Sequence, residues 1–398
     1  MRVPLLDLHE QLQPLRREIL AAVTEVIDST CYIMGPRLEQ LEREVASYSG
    51  ATFGIGVASG TDALLVALMA LGVGRGDLVL TTPYSFFATV GCILRLGAQP
   101  LFVDIDPVTF NIDPALTEEV LVADPARTAR IKAIIPVHLY GQCADMTRIM
   151  GAANRYGIPV VEDAAQAIGA ACPMDENGRT VWRRAGSMGV AGCFSFFPSK
   201  NLGGVGDGGM IVCSDEEFAE KSRVIRVHGG APKYHHGVVG GNFRLDPLQA
   251  AVLSVKLPHL DDWHRQRRDN AELYHRLFAE SGLSENEVRL PVAAYREAAV
   301  NEPQAVDYHI YNQFVIRAAD RDRLRDYLLA SGIGVEIYYP IPLHRQKCLL
   351  DYGLEGISCP ESEKAAAETL ALPIYPELTD AMQEEVVARI VAFYAQGR

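Results

Sequence analysis

The sequence predicts an α/β fold: a mostly parallel central sheet with helices on both faces, followed by a smaller C-terminal α+β domain. Two observations predict the sheet. Between residues 53 and 213, short apolar runs alternate with helical patterns. Those runs lack the in–out alternation of a half-wetted sheet, as expected of strands buried on both faces, and strand–helix alternation makes neighbouring strands parallel. A third observation predicts the second unit. Near residue 250 the pattern turns to charged helical segments and then to strand, helix, strand. The division falls at residues 1–250 and 251–398.

The elements follow in order. Leu15, Ile19, Leu20, Val23, Val26 and Ile27 recur at helical spacing over residues 14–28, and Gly35-Pro36 opens a second helix carrying Leu38, Leu41 and Val45. Residues 53–58 read as a strand and 61–71 as a helix; 78–82 read as a strand stopped by Pro83, and 86–96 as a helix. Further strands are expected at 101–104, 131–137, 159–162, 191–196 and 209–213. Beyond them, helices are expected at 250–260 and 263–277, an irregular stretch at 284–306, a strand at 310–316, a helix at 321–329, a strand at 335–339, and closing helices at 363–372 and 382–395.

Composition narrows the function. The net charge of −13 argues against nucleic acid or an anionic membrane as partner, since both select basic surface. The eight cysteines show no metal-like spacing and no Cys-x-x-Cys, so neither a metal site nor a disulfide framework is expected. No apolar run reaches the roughly 20 residues of a membrane span, and the N-terminus lacks the apolar core of a signal peptide, so a cytoplasmic location is expected.

Ligands of such a sheet gather at the carboxyl ends of its strands, and four segments there carry chemistry. Lys200 follows the apolar run Cys193-Phe194-Ser195-Phe196-Phe197 and precedes Gly203-Gly204. Burial lowers an amine's pKa and frees its lone pair, which is what a Schiff-base lysine needs. Ser59-Gly60-Thr61-Asp62 lies at a strand-to-helix junction, where free N–H groups and the helix dipole suit a phosphate. Glu162-Asp163 ends an apolar strand, and alternation lets only one of the two point into the ligand crevice. Asp163 is the choice, with Gln166 one helical turn on. Phe86, at a third junction, can stack on a flat ring. Singly, each has a plain alternative: a snorkelling lysine, an ordinary turn, a capping acid, a core aromatic. Together, in the chain order phosphate turn, aromatic, acid, lysine, they are the parts of a fold-type I enzyme dependent on pyridoxal phosphate (PLP).

The chain resembles the DegT/DnrJ/StrS family of PLP-dependent nucleotide-sugar aminotransferases. The resemblance spans nearly the whole chain. It is carried by Ser59 to Leu64, Pro136-Val137-His138-Leu139-Tyr140-Gly141-Gln142, Glu162-Asp163-Ala164-Ala165-Gln166, Ser195 to Lys200, Gly241-Asn242-Phe243-Arg244-Leu245-Asp246 with Gln249-Ala250-Ala251, and Tyr339-Pro340-Ile341-Pro342-Leu343-His344. It implies that Lys200 carries the cofactor and that Asp163 faces its ring nitrogen. Gln166 would lie beside its phenolic oxygen, Phe86 on its ring, and Gly60, Thr61 and Ser195 on its phosphate. Asn242 would come from the second subunit of a homodimer with shared active sites. It further implies L-glutamate as amino donor and a 3- or 4-keto-sugar linked to a nucleotide as acceptor. A keto-cyclitol acceptor and a non-catalytic regulatory protein that binds PLP are the alternatives. Tyr338, Tyr339, His309 and His344 are sugar-side candidates by position, and residues 226–236 are a candidate diphosphate-binding run.

Overall fold

The computed structural model describes residues 1–302, 306–354 and 356–396. Nine strands precede residue 214: β1 (Phe53–Val57), β2 (Leu78–Thr81), β3 (Gln99–Phe102), β4 (Ile131–Ile135), β5 (Val161–Asp163), β6 (Ala171–Glu176), β7 (Arg179–Arg184), β8 (Ala191–Ser195) and β9 (Gly209–Cys213). One sheet runs β1-β9-β8-β5 and a second β3-β2-β4. Parallel bridges Ile134–Val160 and Val137–Asp163 join them edge to edge, giving the order β1-β9-β8-β5-β4-β2-β3. Only β9 runs against its neighbours. The expected mostly parallel sheet is therefore present.

Both faces are covered, and the sequence shows why. Along β8 and β9, Phe194, Met210 and Val212 join one apolar cluster, while Cys193, Ile211 and Cys213 join another. The first cluster packs under helices Leu8–Ser29, Pro36–Ser49 and Pro247–Lys256. The second packs under helix Gly60–Ala70, whose residues 63–68 are all buried. A helix apolar nearly all round belongs between layers, and this one lies between the sheet and helices Ala88–Arg95 and Glu216–Arg226.

The C-terminal unit is built on three antiparallel strands, β10 (Val288–Arg289), β11 (Phe314–Ala318) and β12 (Thr369–Leu372), in that order. Helices Leu260–Glu280, Arg321–Ala330 and Asp380–Ala395 cover it through Tyr274, Phe278, Leu324, Leu328, Val386 and Ile390. Val3 bridges Ile333 and lies in this same cluster, far in sequence from its neighbours there.

The structure departs from the expectations at five points. β6 and β7 form a hairpin that periodicity missed because its side chains are only partly buried. Its turn was nevertheless written as Asn177-Gly178, both at positive φ (57° and 78°), the pair that two-residue hairpins favour. Residues 335–339 form no strand; Glu336 makes a single bridge to Ala371. The helix expected over 363–372 spans Pro360–Glu368, and the last four residues become β12, paired to β11. The strand expected from 310 begins at Phe314, because residues 310–312 turn aside to pack on Gly141. Within the stretch expected to be irregular, β10 and helix Arg296–Val300 form, and residues 303–305 lie outside the described residues.

Candidate active site

The carboxyl ends of β1, β5 and β8 open into one cavity of about 480 Å³. Seven of the eight predicted residues line it: Gly60, Thr61, Phe86, Asp163, Gln166, Ser195 and Lys200. Asn242 does not. It is exposed, on a segment that bridges Val227. A larger groove, of about 1280 Å³, lies along helix Glu216–Arg226 and is edged by Glu216, Glu217, Glu220, Val238 and Val239. Its Lys221 is paired with Glu217 at 2.8 Å on an exposed, acidic helix face, so the smaller cavity is the candidate site.

At its phosphate-shaped end, Ser59 caps helix Gly60–Ala70, its Oγ accepting the Asp62 N–H at 3.0 Å. The first intrahelical bond runs from Ala63 N–H to Ser59 O at 2.9 Å, so the N–H groups of Gly60 and Thr61 precede the ladder. Ser195 closes over this turn. A Cβ on Gly60 would lie 2.7 Å from Ser195 Cβ, so only glycine leaves the space between them open. That cradle fits a phosphate held by N–H groups, a hydroxyl and a helix N-terminus.

The two acids at the end of β5 part as alternation requires. Glu162 turns away from the cavity, fully buried, and accepts from Gly186 N, Met188 N and Gly189 N at 2.7 Å each and from His138 Nε2 at 2.9 Å. Asp163 turns into it. Its Oδ2 accepts from Thr89 Oγ1 at 2.8 Å, and Thr89 in turn meets Ser85 Oγ at 2.9 Å. Burial raises the Asp163 carboxyl above its usual range, and the Thr89 bond, the Ala165 N–H and Lys200 oppose the rise. Burial also pulls the Lys200 amine down to about 8, against the pull of Asp163. A lysine so placed is substantially neutral at mildly alkaline pH, which an exposed amine is not. An amine with a free lone pair, a buried carboxylate and a phosphate cradle in one cavity fit pyridoxal phosphate.

The other wall is aromatic and amide. Phe86 is 58% exposed at the cavity edge, its ring 6.2 Å from that of Tyr339. Gln166 is held at both ends: Oε1 accepts the Tyr140 N–H at 2.8 Å, and Nε2 donates to Tyr339 Oη at 3.1 Å. Tyr84 Oη donates to the Tyr338 carbonyl at 2.9 Å, and Tyr140 Oη donates to the same oxygen. Tyr338 and Tyr339, two of the sugar-side candidates, line the cavity. His309 and His344 do not. His309 is buried and stacked on Tyr311, with 3.8 Å between ring centroids, and His344 is bonded to Glu363 at 2.9 Å. Arg226 is also withdrawn: it pairs with Glu42 and donates to Gly56 O at 3.0 Å, so it is no diphosphate ligand in this arrangement.

Sequence reasoning missed Thr89, Asp207 and Gln313. Thr89 sits on helix Ala88–Arg95, where nothing in the pattern marks it as facing an acid on another strand. Asp207 stood in Gly206-Asp207-Gly208-Gly209, a legible polar break between glycines. Gln313 looked like one polar residue of a strand. Elsewhere, Asp261, His264 and Asp307 approach one another closely enough for a cation. Arg268 already pairs with Asp307, and Arg184 stands 3.9 Å from Asp261, so their charges are compensated.

A family model described as the DegT/DnrJ/EryC1/StrS aminotransferase family matches residues 13–391. The chain is 50% identical over 396 residues to a pleiotropic regulatory protein of Geobacillus stearothermophilus, covering 99% of each. It is 43% identical over 388 residues to a UDP-N-acetyl-3-dehydro-alpha-D-glucosamine 3-aminotransferase of Acidithiobacillus ferrooxidans, covering 98% of this chain and 96% of the relative. Among solved structures it is similar to S. venezuelae DesV in complex with a ketimine intermediate, with a TM-score of 0.87, 38% identity and 98% of both chains covered.

Proposed function

The chain belongs to the DegT/DnrJ/EryC1/StrS aminotransferase family, whose members depend on pyridoxal phosphate, and from that premise we propose that it moves an amino group from L-glutamate to a nucleotide-linked 3-keto-sugar, with Lys200 as the catalytic amine. The observation that carries this reading is the pairing in one cavity of the Lys200 amine, pulled down to about 8, with the buried Asp163 carboxylate. The 3-keto-sugar acceptor is supported by the name of the Acidithiobacillus relative.

When bound, pyridoxal phosphate supplies an aldehyde that takes up the amino group and a protonated ring that accepts an electron pair. The rest falls to the chain. Gly60 and Thr61 N–H groups and Ser195 Oγ would hold its phosphate. Asp163, kept in place by Thr89, would hold the proton on the ring nitrogen. Phe86 would cover the ring and Gln166 would flank it. Lys200 would carry the cofactor at rest and, as a free amine, would move the proton at the substrate carbon as general base and then acid. Donor and acceptor take turns in the same cavity, which predicts ping-pong kinetics.

Asn242 completes the site from a second copy. Its exposure outside its own cavity, beside the 88%-exposed Val239, supports a homodimer with shared sites. A cytoplasmic setting is in keeping with helices none of which, among the described residues, is long and apolar enough to cross a membrane.

The test is a spectrum of the purified holoenzyme. L-Glutamate should convert the absorption of the aldehyde form to that of the amine form, and a nucleotide 3-keto-sugar should restore it. A second reading, a regulator that binds the cofactor without turnover, draws support from the name of the Geobacillus relative. An unchanged spectrum with glutamate would favour it.

A further inference from the structure

We propose that Gln313 determines acceptor specificity: its side-chain amide reads a hydroxyl or amide N–H of the keto-sugar and takes no part in binding the amino donor. The proposal rests on the aminotransferase reading above and extends it.

Gln313 lines the cavity together with Lys200, Gln166, Tyr338 and Tyr339. Its Oε1 is buried and has no hydrogen-bond partner among the described residues. Gln166, across the same cavity, is bonded through both its oxygen and its nitrogen. One amide is thus fixed by the protein through both its atoms, and the other keeps a buried oxygen without a partner at the cavity wall. A buried acceptor left unpaired is costly, and a ligand donor that reaches it recovers that cost.

The backbone leading to this amide is held on both sides. Ile310 N–H donates to Gly141 O at 2.9 Å, and a Cβ on Gly141 would lie 2.9 Å from Asn312 N, so the two segments touch backbone to backbone. Asn312 Nδ2 donates to Asn201 Oδ1 at 2.7 Å, and Asn201 Nδ2 donates to Ile310 O at 3.1 Å. Asn201 follows Lys200 directly, so the amide's position is tied to that of the reacting amine.

The chemistry selects the ligand. The carboxylates of L-glutamate can only accept, so an oxygen acceptor gives them nothing. The donor's amino group is engaged at the position served by Lys200. A sugar carries hydroxyls, and a 2-acetamido sugar also an N–H, which donate to such an oxygen. Gln313 also borders a second cavity of about 10 Å³ beside Thr109, Tyr140 and His309, with room for about one water. An amide that served only that space would matter to stability and not to substrate.

The experiment compares the holoenzyme with its Gln313→Leu variant. The two half-reactions are followed separately by the cofactor's absorption, one with L-glutamate and one with a nucleotide 3-keto-sugar. The affinity of unreactive UDP-N-acetylglucosamine is measured by calorimetry. The expected result is a tenfold to hundredfold fall in the sugar half-reaction and in the affinity, about 1.4–2.7 kcal/mol, with the glutamate half-reaction within about twofold. A sugar arm unchanged within about twofold, or both arms falling together, would overturn the proposal. So would an unchanged affinity with a lowered melting temperature, which would confine the amide to the small cavity. If Gln313→Leu does not fold, Gln313→Met, unbranched and of similar length, carries the same expectation. An unmodified enzyme silent to glutamate would refute the aminotransferase reading, and the calorimetric arm would still decide the role of Gln313.

Discussion

Replacing Glu162 with glutamine changes one atom of a fully buried side chain and should cost the fold more than the chemistry. Oε1 accepts from Met188 N and Gly189 N, and Oε2 accepts from Gly186 N and His138 Nε2. His138 Nδ1 accepts the Ala144 N–H at 3.1 Å, so its proton sits on Nε2 and points at Glu162. All four partners are donors, and glutamine in either orientation sets its NH₂ against two of them. Two hydrogen bonds to a charged acceptor are lost, at about 1.5–3 kcal/mol each, or ~3–6 kcal/mol in all. With ~2.1 cal/mol/K per residue over 398 residues, the unfolding entropy is ~0.8 kcal/mol/K, so the melting temperature should fall by about 4–7 °C. Asp163→Asn, one residue on, should melt within about 4 °C of the parent, because Thr89 Oγ1 can still donate to the amide oxygen and only the 3.3 Å bond from Ala165 N–H is lost, yet should transaminate at least ~100-fold more slowly. Calorimetric melting of both cofactor-free variants beside glutamate half-reaction rates makes the comparison. A Glu162→Gln protein that melts with the parent, or an Asp163→Asn protein that turns over normally, would refute this division of labour.

Three further outcomes are expected. Only the neutral Lys200 amine can capture an aldehyde, so cofactor uptake by cofactor-free protein should rise as pH climbs through about 8 and level off above it. An ordinary lysine would still be gaining at about pH 9.5, and Asp163→Asn, by removing the anion that holds the proton on, should move the midpoint lower. Gly60→Ala places a methyl 2.7 Å from Ser195 Cβ and 3.2 Å from its Cα, which should weaken cofactor retention about tenfold or more, read by dialysis and residual absorbance. Finally, Lys200→Ala and Asn242→Ala, each inactive alone, should recover about a quarter of the parental activity when co-refolded, because half of the random dimers are hybrids and each hybrid rebuilds one complete site. No recovery would mean that Asn242 serves its own chain.

What the sequence made legible was local. β5 and β8 could be read from their apolar runs, and the turn at Gly60 from a capping serine followed by a helical pattern. The opposite fates of Glu162 and Asp163 needed only the two-residue period of a strand. What it concealed depends on tertiary neighbours. Residues 369–372 have a helix-compatible pattern and become β12 only because β11 lies alongside. Residues 310–312 look like the start of a strand, yet the left-handed Gly141, at φ 101°, draws them toward Lys200 instead. Thr89 meets Asp163 across 74 positions of sequence, a separation no window spans. His309 and His344 failed as site residues for a related reason: proximity in sequence to Tyr311 and to Tyr339 says nothing about which way a ring turns.

The cavity's own charges bear on how it is completed. Among the described residues that line it, Lys200 is the only lysine or arginine, and it stands with two carboxylates, Asp163 and Asp207. Yet every proposed occupant is anionic: the cofactor's phosphate, the two carboxylates of glutamate and the diphosphate of a nucleotide sugar. A helix N-terminus offers only about half a charge, enough for one phosphate and spent on it. A single chain therefore presents a site whose electrostatics do not balance its ligands. The exposed segment that carries Lys233 and, further on, Asn242 lies outside its own cavity and holds a cation and amide of the kind required. Delivery of that segment by a second copy would supply what the first lacks, and would make substrate binding, rather than cofactor chemistry alone, depend on assembly.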